Sequence, residues 1–193
     1  NAYARAALGG LALALIIFVF PPIYGEGYNS ILFLLKGNHE RFFSGSFFYS
    51  MADQELVIIG VLFMITLVKP FATALTIGSG GSGGVFAPSL FMGGVVGFLF
   101  SKVVNVMYPY GAISSSNFTL VGMCGVMSGV LHAPLTAIFL IAEITGGYML
   151  FVPLMLVSAI SFTTISYFEK YSIYTKQLIE KGDLIQYDRD KIV

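Results

Sequence analysis

The chain has 193 residues, 56% of them hydrophobic and only 10% charged, with ten Lys and Arg balanced by ten Asp and Glu. Soluble domains carry about 25% charged residues, so this balance and a mean hydropathy of +0.85 exclude an ordinary soluble fold and point to a membrane protein. The net charge of zero says little about partners, and no nucleic-acid partner is expected. The single Cys124 excludes an internal disulfide, and without a Cys/His cluster no metal site is expected.

Ala6–Phe20 is apolar and closed by Pro21-Pro22, which cannot continue a helix. It reaches the roughly 20 residues of a bilayer span only if Tyr3 to Arg5 extend it. Ile23–Tyr28 reads as a turn, with Asn29 capping a short helix Ser30–Leu35. Lys36–Glu55 interleaves Lys36, His39, Glu40, Arg41, Asp53 and Glu55 with Phe42, Phe43, Phe47, Phe48 and Tyr49. This mix predicts an interfacial excursion with aromatics at headgroup level, and His39 as a solvated loop histidine. Leu56–Ile77 is long enough to span with some tilt; Lys69-Pro70 within it implies a kink and a lysine that snorkels or faces a polar interior.

Next comes the stretch on which function turns, Gly78-Ser79-Gly80-Gly81-Ser82-Gly83-Gly84-Val85-Phe86-Ala87-Pro88. A spanning helix has little use for such a break unless irregular backbone lines a polar path. Val85–Phe100 is expected as the following helix, ending near Ser101-Lys102, with Gly93, Gly94 and Gly97 permitting close helix contact. Tyr108-Pro109-Tyr110-Gly111 is a turn, and Ser114–Asn117 offers caps. Phe118–Leu131 and Pro134–Thr145 then reach only about 21 and 18 Å against a hydrocarbon core of about 30 Å, so neither spans alone. His132-Ala133-Pro134 divides them, and two half-length helices broken in mid-membrane are a pointer to a transporter or channel. Leu150–Phe168 is a last spanning helix, with Pro153 in its first turn.

Between Lys102 and Glu169 the only formal charge is Glu143, whereas five of the ten Lys and Arg lie at or beyond Lys170. The positive-inside rule places that end in the cytoplasm. The division is therefore a transmembrane helical region, 1–168, and a cytoplasmic helix end and linker, 169–193. The start at Asn1 and the charged, uncapped tail Ile185–Val193 suggest a fragment or a processed product.

Several chemistries compete for the glycine stretch. Gly78–Gly83 fits G-x-G-x-x-G, but no strand precedes it and no acid follows about 20 positions on, which rejects dinucleotide binding. Gly80–Gly84 fits G-x-S-x-G, so an intramembrane serine hydrolase using Ser82 with His132 as base is one alternative. The flanking apolar segments and the Val-Phe-Ala-Pro sequel argue against an engineered Gly/Ser linker. For anion binding, glycines expose backbone N–H groups without intrahelical partners, and the dipole of the next helix adds partial positive charge at the amides of Val85 and Phe86. Such a site needs no Lys or Arg, since a full cation in low dielectric holds an anion too tightly for turnover. Glycines that serve only close packing account for the residues equally well, which leaves a packing or assembly subunit as a third reading. Glu143, the one intramembrane acid, reads as a carboxylate near a helix end that water reaches. Tyr171 and Tyr174 follow the last helix, as interfacial belt residues or as uncharged hydroxyl donors to an anion.

Gly83-Gly84-Val85-Phe86-Ala87-Pro88 resembles the G-x-F-x-P motif of the CLC family of chloride channels and chloride/proton antiporters. Leu75–Gly80 before it resembles the same family. So do Gly122-Met123, His132-Ala133-Pro134-Leu135-Thr136 and Ile141-Ala142-Glu143-Ile144-Thr145 beyond it, in order and at similar spacing, and the likeness runs from about Leu8 to Ile179. The resemblance implies an all-α, polytopic membrane protein of tilted and half-spanning helices, the second inverted repeat of a CLC-like fold. It implies chloride transport, as a voltage-gated-type channel or a chloride/proton antiporter, not enzyme chemistry, with no catalytic residues and no cofactor beyond a bound chloride ion. Val85 and Phe86 match the positions whose amides contact the anion; Gly83, Gly84 and Pro88 shape the site. Tyr171, or failing it Tyr174, matches the coordinating tyrosine. Glu143, Ile144 and Leu150 fall in the family's dimer-interface region. Expected partners are chloride, the lipid bilayer, a second complete chain in a homodimer and the N-terminal half of the same protein. The family's serine loop and gating glutamate are not in this chain. A multi-pass protein of a bacterial inner membrane is the expected setting.

Overall fold

The structure is a computed structural model that describes residues 2–37, 39–46, 48–49 and 54–180. Among these residues all regular structure is helical. In order come α1 (Ala2–Val19), α2 (Tyr28–Leu35), the single turn α3 (His39–Phe42), α4 (Glu55–Gly78), α5 (Phe86–Met107), α6 (Ser115–Leu131), α7 (Pro134–Ile144), α8 (Phe151–Phe168) and α9 (Ile173–Glu180). Among the described residues four helices are long and apolar enough to cross a membrane: α1, α4, α5 and the one that starts at Phe151. Of the helix end and linker expected over 169–193, residues 181–193 lie outside the described residues, as do Phe47, Asp53 and the side chains of His39 and Glu40.

Prolines and glycines set most boundaries, as expected. Pro21-Pro22 stops α1 and forms a short 3-10 turn with Ile23. Ser114 caps α6, its hydroxyl accepting from the Asn117 N–H at 3.4 Å. Pro134 takes the first position of α7. At 17 and 11 residues, α6 and α7 rise only about 26 and 17 Å, so both stay shorter than the hydrocarbon core. Glu143 is exposed one residue from the end of α7, as the sequence suggests.

Three expectations are corrected. Asn29 does not cap α2: Gly27 does, at φ 83°, and starts the helix at Tyr28. Glycine is required there twice over, because a Cβ would also strike the Phe91 ring. α5 does not end near Lys102. That lysine bonds Glu55 at 3.0 Å, across to the first turn of α4, and the helix runs on until Tyr108-Pro109. The segment after α2 is no simple interfacial excursion, because Phe42 and Phe43 are buried in the core and Phe48 stacks on Phe20.

The core sits where α5, α6 and α8 meet, around Phe91, Val95, Phe98, Met123, Met127 and Leu154. The tightest seam is α5 on α6. A methyl group on Gly97 would collide with the Phe118 carbonyl, and one on Gly122 with the Gly93 carbonyl, so the two backbones touch. Small residues permit this approach, and in lipid such contact replaces the hydrophobic effect as the source of association. The seam of α6 with α8 is polar. Ser128 donates to the Ser158 carbonyl at 3.0 Å, Ser161 donates to the Gly125 carbonyl at 2.7 Å, and the Ser158 hydroxyl lies 3.0 Å from Ser128 Oγ and 3.1 Å from the Pro134 carbonyl. Gly97→Ala is expected to cost about 1–3 kcal/mol through overpacking, read as a lower thermal midpoint in detergent. Gly60→Ala on α4, where a Cβ meets open space, is expected to be neutral or to stabilise by up to about 1 kcal/mol.

Candidate functional site

The glycine stretch divides into two parts with different jobs. Its first part closes α4. The Gly81 N–H bonds the Thr76 carbonyl at 2.9 Å and the Gly80 N–H bonds the Ile77 carbonyl at 3.1 Å, with Gly80 at φ 95°. This is a Schellman cap, which consumes the donors of Gly80 and Gly81 on helix carbonyls. Ser79 turns both its N–H and its hydroxyl back onto the Leu75 carbonyl, at 2.9 and 2.6 Å.

The second part offers its donors to nothing among the described residues. Among the described residues, no N–H from Ser82 through Phe86 has an acceptor, and no side chain caps α5. Val85 is the N-cap residue, and α5 behind it is 22 residues long, enough for a full macrodipole with about half a positive charge at this end. Ser82, Gly83 and Gly84 are exposed, and Val85 and Phe86 half-buried. Gly83, Gly84, Phe86 and Pro88 line a cavity of about 510 Å³ whose other walls come from α1, α4 and the Ile23–Tyr28 connection; Val85 is not among its lining residues.

Lys69 also lines this cavity, and the sequence reading had no role for a cation here. Its Nζ donates to the carbonyls of Ile23 and Gly25 at 2.8 and 3.0 Å and stands 4.8 Å from the centre of the Phe91 ring. A lysine at mid-helix costs about 2.5–3.5 kcal/mol on insertion scales. Two hydrogen bonds from a charged donor, at about 1.5–3 kcal/mol each, offset that cost. Of the two fates foreseen for this side chain, snorkelling is the one it avoids. Thr73 and Thr76, in the same wall, donate their hydroxyls back to the Lys69 and Ala72 carbonyls and so present no donor to the cavity.

Tyr171 lies elsewhere. It is half-buried in a second cavity of about 600 Å³, with His132, Glu169 and Lys176, and none of the glycine-stretch residues lines that cavity. Tyr174 is 52% exposed. His132 ends α6 at φ 54°, an unusual backbone for a residue with a Cβ, and its Nε2 lies 3.0 Å from the Glu169 carbonyl. That bond requires Nε2 to carry a proton, and Nδ1 is buried and without a partner among the described residues. Ser82 and His132 line different cavities, so the structure assembles no Ser–His pair. Around α7 and α8 the side chains of Leu135, Phe139, Ile144, Val152, Leu156 and Ile160 are exposed, while Leu150 is half-buried.

An apolar bundle with two sub-spanning helices and unpartnered amides at a helix break defines a polytopic helical membrane protein of the channel and transporter type. The profile described as "Voltage gated chloride channel" matches residues 1–166, and the chain belongs to that family. Among curated relatives, a protein described as a ClcB-like chloride channel from Ralstonia nicotianae is 29% identical over 93% of this chain and 38% of its own length. The voltage-gated ClC-type chloride channel ClcB of Escherichia coli is 31% identical over 88% of this chain and 36% of its own. The chain thus spans well under half the length of these relatives. A slow cyanobacterial Cl⁻/H⁺ antiporter of known crystal structure shares the fold, at a TM-score of 0.58 and 19% identity over 93% of this chain and 47% of that one.

The separation of Ser82 from His132 makes a definite forecast. A serine-reactive phosphonate is expected to leave Ser82 unmodified in membranes, as read by mass spectrometry of the peptide; stoichiometric labelling would restore the hydrolase reading.

Proposed function

We propose that this chain supplies one wall of a chloride path, in a membrane protein that works as a voltage-gated-type chloride channel or a chloride/proton antiporter. The observation that carries the reading is the run of unpartnered N–H groups from Ser82 to Phe86, at the positive end of α5 and beside a cavity. In a lipid setting each such donor is costly unless a ligand completes it, and a monovalent anion does so without requiring a proton or a metal. Membership of a chloride-channel family supports chloride as that anion. Val85 and Phe86 are the amide donors in this reading, Gly83, Gly84 and Pro88 shape the approach, and Tyr171 is the hydroxyl donor, with Tyr174 as the alternative. The group held is chloride itself, and no further cofactor or catalytic residue enters.

The rest of the reading concerns the whole protein. Its N-terminal half supplies the opposite wall, in keeping with relatives more than twice as long. Two complete chains pair through the region of Glu143, Ile144 and Leu150, where the exposed apolar side chains of α7 and α8 give a surface without a partner among the described residues. The setting is a bacterial inner membrane with the C-terminal end in the cytoplasm, in line with bacterial relatives and with the cluster of Lys and Arg at or beyond Lys170.

Liposomes holding the complete protein are expected to release chloride, with clear selectivity over sodium; equal permeability to both would overturn the reading. Tyr171→Phe is expected to weaken chloride binding by about 1–3 kcal/mol, measured by titration calorimetry, because a donor is lost. An unchanged affinity would transfer the role to Tyr174.

A further inference from the structure

We propose that Lys69 is a specificity-determining residue of the cavity at the start of α5: a fixed positive charge that favours anions there and repels cations. The inference rests on the chloride-transport reading and adds to it a residue from a different helix. Lys69 is 3% exposed and shares the cavity wall with Gly83, Gly84 and Phe86.

The groups around its ammonium orient the charge without cancelling it. The carbonyls of Ile23 and Gly25 take two of its three N–H bonds, and the Phe91 ring face lies on a further side. Carbonyls and an aromatic ring are dipoles and a quadrupole, so one elementary charge remains. Among the described residues no carboxylate pairs with it. Glu26 lines the same cavity but is exposed and makes no ion pair. A buried charge is ordinarily paired, and an unpaired one is retained where something else supplies the opposite sign. Here that is a mobile anion, drawn to a wall that combines the partial charges of the α5 amides with the full charge of Lys69.

The tether to the two carbonyls also answers the objection that a lysine would trap its ligand. With most of its donors already engaged, the ammonium acts through its field more than through direct bonds, and a bound anion remains free to leave. The tether alone does not call for a charge, because a neutral amide also donates to two carbonyls.

The test is therefore a pair of substitutions in the complete protein. Lys69→Gln keeps N–H donors and removes the charge; Lys69→Arg keeps both. Chloride affinity is read by titration calorimetry in detergent, chloride-over-sodium selectivity by reversal potentials in bilayers, and integrity by the thermal midpoint. Lys69→Gln is expected to weaken chloride binding by about tenfold or more and to lower selectivity at an unchanged thermal midpoint, with Lys69→Arg close to wild type. Wild-type affinity and selectivity in Lys69→Gln would overturn the assignment and leave the chloride reading standing. Equal losses in both variants together with a lowered midpoint would also overturn it, and reduce Lys69 to a tether. A wild-type protein that neither binds nor conducts chloride would overturn the transport reading and this assignment with it.

Discussion

A backbone N–H inside a bilayer must find an acceptor, and this constraint organises the chain. Within the helices the ladder meets it internally, and past the C-terminal ends of α4 and α7 the next donors are turned back onto helix carbonyls. The Schellman cap at Gly80-Gly81 closes α4, and a second one at Gly146-Gly147 closes α7, through the Glu143 and Ala142 carbonyls at 3.0 and 3.3 Å. Within the glycine stretch, the donors from Ser82 to Phe86 are the ones left open among the described residues. The chain closes the helix behind the break and leaves the helix ahead of it open. The break is thus polarised: one side is a finished end, the other is open.

The outer cavity wall is fixed by a long-range tie. Lys69 reaches from the middle of α4 to the carbonyls just after α1, so the Ile23–Gly25 connection is held against α4 across more than forty residues of sequence. α1 itself has no buried residue and packs on the core through the half-buried Leu13 and Ile16. One side chain thereby closes the cavity and charges it.

Much of the fold is legible in the sequence wherever the signal is local. Pro21-Pro22, Pro134, Ser114 and the glycines of the break mark their boundaries through the backbone itself, and the structure keeps them. The misses share a different cause. Phe42 and Phe43 sit among charges in sequence, and only the packing of other helices around them shows that they are core. Lys102 looks like a helix end because it follows an apolar run, yet Glu55 meets it from another helix. Gly93 and Gly97 announce a close contact, but their partner, Gly122 with Phe118, is set by tertiary structure. The candidate site divides in the same way. Its amides follow from the glycine motif, whereas the lysine that shares its cavity was legible only as a residue needing a polar surrounding. Tyr171 matches a family position, yet it lines a cavity apart from the amides.

The contact of α5 with α6 has a mechanical consequence. Two helices whose backbones touch at Gly93, Gly97 and Gly122 have no side-chain layer between them, so any Cβ added there pushes the two axes apart. The axis of α5 is therefore positioned by its neighbour, and with it the bearing of the helix dipole at Phe86. The seam thus sets the direction in which that dipole points as well as the closeness of the two helices.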